Sequence, residues 1–286
     1  MLREFLVWLF KDDKPLNMDV FSVWHILYTL IIFGVTIFLG ILFCKKSGEA
    51  KEKFLRALAI ITLVLYVGDF FIQPFMHGDP SVVGEMNIDK LPFHICTIMC
   101  PVIMLIQFNK RMSWCYEAAA LLAIVGPLMY LTYPNGALGD VSPFCYRIIQ
   151  TCMYHGVVFC WGFNMIALGK AKISIKRCWK PLIGLGLIAL WATVGNLAYN
   201  VEGNTHDWFF LTGSSFSYAF PESMHPYLTY IMPFAVIAAI FAVVLCVYGV
   251  YYLTLFVKGK IFGGKNGGQD GSEKKETEEK KETVAV

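Results

Sequence analysis

The residues that could do chemistry begin at 91–100, which reads Leu-Pro-Phe-His-Ile-Cys-Thr-Ile-Met-Cys. His94 and Cys96 stand two residues apart just inside the start of a long apolar run. His155 lies in a second apolar run, close to Gln150 and Cys152. A thiol and an imidazole brought together make a nucleophile and its general base, the ring taking the proton as sulfur attacks an acyl carbon. Ionisable groups are costly at membrane depth and usually serve a purpose there. The pattern predicts Cys96 as nucleophile and His155 as base, with His94, Asn196 or Asn200 to orient the base or bind the oxyanion; His94 is the third catalytic candidate.

Further polar groups gather at the same depth. His25, Asp69, Gln150, Asn196 and Asn200 fall toward one end of their apolar runs and are the candidate substrate-binding residues. All six histidines lie in that half or in the loops beyond it. Together they predict a polar cavity in the outer leaflet region, open to the outside. Asp69 needs a partner at that depth, and His25, His94 and Arg147 are the candidates. In the opposite half Glu117 stands out, with Lys110 or Arg111 as the expected partner. Each polar residue also has a plainer reading, a hydrogen bond to a neighbouring helix. His77, His206 and His225 read as solvated loop residues, and Cys100 as a small buried apolar group.

Three other functions compete with a Cys/His enzyme. Zinc held by His25, Asp69, His94 and His155 would make a metal hydrolase, although no paired-histidine helix motif supports it. A small-molecule or lipid binder or transporter is another, weakened by the lack of an inverted repeat and of polar residues through the inner half. A lipid-facing scaffold is the third. No cofactor is called for.

The elements that must position these groups are apolar helices. The chain has 286 residues, 57% hydrophobic and 16% charged, with a mean hydropathy of +0.56. Soluble domains are about a quarter charged, so this is an integral membrane protein. The nine cysteines fall mostly inside apolar runs and follow neither a disulfide nor a CxxC pattern. Stretches 21–44, 54–76, 91–109, 114–133, 145–169, 181–201 and 227–257 are long enough to cross a bilayer. Lysine and arginine cluster in the loops after the first, third and fifth spans and in the tail. That bias puts the N-terminus outside and the C-terminus in the cytoplasm. The expected fold is all-α: a polytopic seven-transmembrane-helix bundle over 21–257. Residues 1–20 form an N-terminal interfacial segment, and 258–286 a disordered, charged cytoplasmic tail. No nucleic-acid, Walker or dinucleotide motif is present. The expected partner is membrane lipid, the expected place the cell membrane, and protein partners are not specified.

Several short matches are similar to the YwaF-type family of bacterial integral membrane proteins. They are 91–96, Tyr-His-Gly at 154–156, Asn196 with Tyr199-Asn200, Asn204 with Trp-Phe-Phe-Leu at 208–211, and Pro226-Tyr227. That family resembles a vertebrate membrane acyltransferase acting on ether phospholipids. The latter resembles membrane hydrolases of fatty-acid esters of hydroxy fatty acids, which use a Thr or Cys with a His. The resemblance implies lipid acyl chemistry, with His155 as the family histidine and Cys96 or a near neighbour as nucleophile. The outer loop departs from the family pattern, carrying Thr205-His206-Asp207 in place of a short Asn-Tyr stretch.

Overall fold

The computed structural model describes residues 18–76, 90–132, 142–200 and 207–263. The segment 1–14, His77, Asn204, His206 and the tail from 264 onward lie outside the described residues, as does the side chain of Gln73. The described residues are helical, without strands. In chain order α1 is Val23–Cys44, α2 Gly48–Met76, α3 Ile95–Phe108 and α4 Tyr116–Thr132. Then come α5 Tyr146–Ala167, α6 Trp179–Tyr199 and α7 His225–Gly263. Short 3-10 turns fill the gaps, notably Lys110–Cys115, Ile175–Arg177 and Trp208–Phe210.

Among the described residues, four stretches are long and apolar enough to cross a membrane: Val23–Cys44, Lys110–Thr132, Ile175–Tyr199 and Glu222–Lys260. α1 is apolar all round and leaves Val23, Leu30, Phe38 and Ile41 exposed, as a helix facing lipid does. The chain divides after Val244 into two compact units. In the second, the Lys260 ammonium lies over the Phe256 ring and Tyr251 meets Tyr252 edge-on.

α5 is the centre of the first unit and packs against α1, α2, α3 and α4. Small residues let it approach α4: a Cβ on Gly162 would stand 2.7 Å from the Ala120 carbonyl oxygen and 2.9 Å from Ala123 Cβ. In lipid, where apolar surface gains nothing by leaving water, such close backbone contact is what holds helices together.

One end of the bundle is laced by charges. Lys170 Nζ lies 2.8 Å from Glu52 Oε2, Gln107 donates to Glu52 Oε1 at 2.8 Å, and Trp161 Nε1 donates to Gln107 Oε1. This ties α2, α3, α5 and the loop after α5 together. Glu52 lies two residues before the apolar part of α2. Burial pushes its carboxyl up, but Lys170, Arg56 and Gln107 together outweigh that and hold it below the usual carboxylate range. Glu117 is 4% exposed. It pairs with Arg177, Nε to Oε2 at 2.6 Å, and accepts the Ser174 N–H. This corrects the expectation of Lys110 or Arg111: Asn109 starts a 3-10 turn there by accepting the Arg111 N–H.

Candidate functional site

The candidate nucleophile sits at a helix start. Pro92 disfavours helical backbone in Leu91, and the chain enters α3 through a tight turn with Phe93 N–H bonded to the Leu91 carbonyl. His94 is the N-cap, so Cys96 is the second residue of α3. Thr97 locks the turn, its hydroxyl accepting the His94 N–H and lying within hydrogen-bond reach of the Leu91 carbonyl. Trp191 Nε1 holds the Pro92 carbonyl at 2.8 Å. The helix dipole makes this end of α3 favourable for negative charge.

α4 and α5 bring Cys96 and His155 to one place. Gly126 of α4 opens a notch for the thiol; a Cβ there would stand 3.6 Å from Cys96 Sγ. One turn further along the same face of α4, about 6 Å away, Tyr130 stacks flat on the His155 ring, centroids 3.9 Å apart at 9°. On α5, Tyr154 donates its hydroxyl to the Cys96 carbonyl at 2.7 Å, and His155 is the next residue. Among the described residues no hydrogen bond joins the thiol to the ring.

The backbone partners set the histidine tautomers. His155 Nδ1 lies 2.8 Å from the Thr151 carbonyl. A carbonyl only accepts, so Nδ1 carries the proton and Nε2 presents a lone pair. That Nε2 has no hydrogen-bond partner among the described residues, which is the state a general base requires. His94 is the opposite: its Nδ1 accepts the Phe209 N–H at 3.2 Å, so the neutral ring bears its proton on Nε2. The strap that makes this contact is strained, with Phe209 at φ 60 and Phe210 at φ 57. Bulky residues seldom adopt positive φ, and such strain gathers at functional sites.

The other candidates are used structurally. His25 accepts the Phe21 N–H on Nδ1 and donates Nε2–H to the Leu131 carbonyl at 2.8 Å. The same carbonyl is within reach of the Thr29 hydroxyl, and both ring nitrogens are occupied. Asn196 clamps the backbone of Trp208, its Nδ2 donating to the carbonyl at 3.1 Å and its Oδ1 accepting the N–H at 2.9 Å. Asn200 is the exposed C-cap of α6. Gln150 donates to the Leu65 carbonyl at 3.3 Å and accepts the Thr151 hydroxyl.

Asp69, 3% exposed, is paired with Lys90 at 2.7 Å and hydrogen-bonded by Tyr146. None of the three partners expected for it is the one it takes. Among the described residues no three His, Cys, Asp or Glu side chains come close enough to hold a metal ion. The zinc arrangement of His25, Asp69, His94 and His155 is therefore not assembled. A cavity of about 10 Å³ lies beside His25, Thr29, Tyr130 and Cys152. It has room for about one water molecule.

Tyr130, Tyr154, Gly126 and Thr151 have no place in the residue-type reading of the site. The available signals were the Gly126–Tyr130 spacing of one helical turn and the position of Tyr154 directly before His155.

No curated protein and no solved structure matches this chain. A family model described as the TMEM164 family matches residues 20–250. That interval contains α1 to α6, most of α7 and every site residue named above. The chain belongs to the TMEM164 family of membrane proteins.

Proposed function

We propose that this protein is a multi-pass membrane enzyme of lipid acyl-ester chemistry, with Cys96 as nucleophile and His155 as general base. The observation that carries the proposal is that Cys96 of α3 and His155 of α5 lie against Gly126 and Tyr130, one turn apart on α4, with His155 Nε2 left as an acceptor. The likeness to YwaF-type proteins and to the ether-phospholipid acyltransferase belongs to the same reading, as does a site in the cell membrane.

The chemistry runs in two steps. His155 Nε2 takes the thiol proton as sulfur adds to the ester carbonyl of a phospholipid. In this reading the start of α3, where the helix dipole favours negative charge, stabilises the developing oxyanion. Collapse breaks the ester C–O bond, and the lysolipid alkoxide leaves with the proton from His155. The resulting Cys96 thioester is then attacked by a lysolipid hydroxyl or by water, whose proton His155 removes; the C–S bond breaks as the new ester or free acid forms, and His155 returns the proton to the Cys96 sulfur.

The topology that serves this chemistry is seven crossings with the N-terminus outside and the C-terminus in the cytoplasm. The clustering of Lys and Arg in alternate loops supports it. α3 is about 21 Å long at 1.5 Å per residue, short of a bilayer core of about 30 Å. The non-helical 91–94 segment completes the crossing, and such backbone is tolerated where protein covers it. Cys178 and His155 then lie toward opposite membrane faces.

A lipid-tailed chloroacetamide tests the proposal in native membranes. Cys96 sulfur should displace chloride and become labelled, and Cys96→Ser and His155→Ala should both lose labelling while keeping wild-type thermal stability. A Cys96 that reacts only after denaturation would leave the thiol a packing group. Labelling equal in wild type and His155→Ala would remove the base.

A further inference from the structure

We infer that Tyr154 is a positioning residue that sets the separation between the nucleophile and its base; the inference rests on the Cys96/His155 reading above. Tyr154 and His155 are consecutive on α5. The first grips the backbone of the nucleophile, hydroxyl to Cys96 carbonyl at 2.7 Å, and the second supplies the ring. A shift of α3 relative to α5 therefore works against that bond.

The site needs such a tie. Pro101 lies inside α3, and its missing N–H deprives the Thr97 carbonyl of its helical partner. The first turn of α3, which carries Cys96, thus lacks one bond of its own helix. Thr97 braces it at the His94 cap, and the Tyr154 hydroxyl braces it from outside at the Cys96 carbonyl. The Tyr154 ring is buried, 4% exposed, and meets the His155 ring edge-on at 5.6 Å. One rigid aromatic group touches both partners, while a reaction geometry misplaced by about 1 Å can lose a hundredfold in rate.

Tyr66 provides the control. Its hydroxyl makes a bond of the same kind, to the Lys90 carbonyl at 2.7 Å, and its ring is 5.9 Å from that of Tyr154. Tyr66→Phe therefore removes an equivalent partly buried hydrogen bond without touching the Cys96 peptide. The probe is the lipid-tailed chloroacetamide, with the wild-type protein in phospholipid nanodiscs and its inactivation kinetics split into kinact and KI.

Tyr154→Phe should lower kinact about tenfold and leave KI unchanged. Tyr66→Phe should match wild type in both constants after an equal loss of thermal stability. Equal kinact values in Tyr154→Phe and Tyr66→Phe would overturn the assignment. So would a Tyr154→Phe protein that fails to fold while Tyr66→Phe folds, because the bond would then be structural. Absence of any His155-dependent labelling in wild type is a different outcome; it removes the Cys96/His155 reading and this inference with it.

Discussion

Gly195→Ala should distort the approach to the candidate site, and the size of the effect can be worked from the packing. A Cβ on Gly195 would stand 2.5, 2.6 and 2.8 Å from three carbons of the Phe93 ring. Phe93 cannot swing away, because it is enclosed by Trp191, Tyr199 and Trp208 at ring-centroid distances of 5.3, 6.1 and 4.9 Å. Overpacking of a well-filled site costs about 1–3 kcal/mol, and this enclosure points to the top of that range. Alanine in place of glycine within a helix returns about 1 kcal/mol. The net loss is about 2 kcal/mol, or a fall in Tm of about 4–8 °C. Gly186 lies in the same helix with nothing within 4 Å of its added Cβ, so Gly186→Ala carries the helix gain without the collision. Thermal unfolding of both variants in one nanodisc preparation isolates the collision. Because Phe93 directly precedes His94, Gly195→Ala should also slow Cys96 labelling. A Gly195→Ala protein as stable as Gly186→Ala would refute the packing account.

Other perturbations separate structure from chemistry. Arg177→Ala leaves the Glu117 carboxylate buried and should cost about 3–5 kcal/mol, whereas Lys53→Ala, which breaks an exposed pair with Glu49, should change Tm little. Glu52 has a depressed carboxyl pKa, so its stabilising contribution is full above the unfolded value of about 4.3 and is lost as pH falls through the lower folded value. The Tm difference between wild type and Glu52→Gln should accordingly hold from neutral pH to about 5 and vanish in stronger acid; a constant difference would contradict it. His25→Ala should lower Tm by removing the bond to Leu131, yet leave the Cys96 labelling rate of the folded fraction unchanged.

The helices were largely legible in the apolar runs, because few residues interrupt them. The span expected at 145–169 is α5, Tyr146–Ala167, and that at 114–133 is α4, Tyr116–Thr132. The largest misses have local causes. α2 begins at Gly48 rather than 54, because Ser47 caps it and Glu49 and Lys53 pair across its first turns. α3 begins at Ile95 rather than 91, because Pro92 and the His94 cap hold the preceding turn out of helix. α7 runs through 258, where the tail was expected to start, to Gly263. Partners were harder to read. The Asp69–Lys90 and Glu117–Arg177 pairs join residues 21 and 60 positions apart, a relation fixed by how helices pack rather than by local pattern. Tyr130 looks like apolar filler in the sequence, and Tyr154 enters only as part of the Tyr-His-Gly match; what matters is where one ring face and one hydroxyl fall after packing.

The central claim is that Cys96 carries an acyl group. Purified protein in nanodiscs containing a defined diacyl phospholipid should gain a mass equal to one acyl chain less one hydrogen, located by peptide mass spectrometry at Cys96 and removed by neutral hydroxylamine. The adduct should be absent in Cys96→Ser and strongly reduced in His155→Ala. A wild-type protein that never acquires the adduct, or one whose adduct persists in Cys96→Ser, would contradict the account.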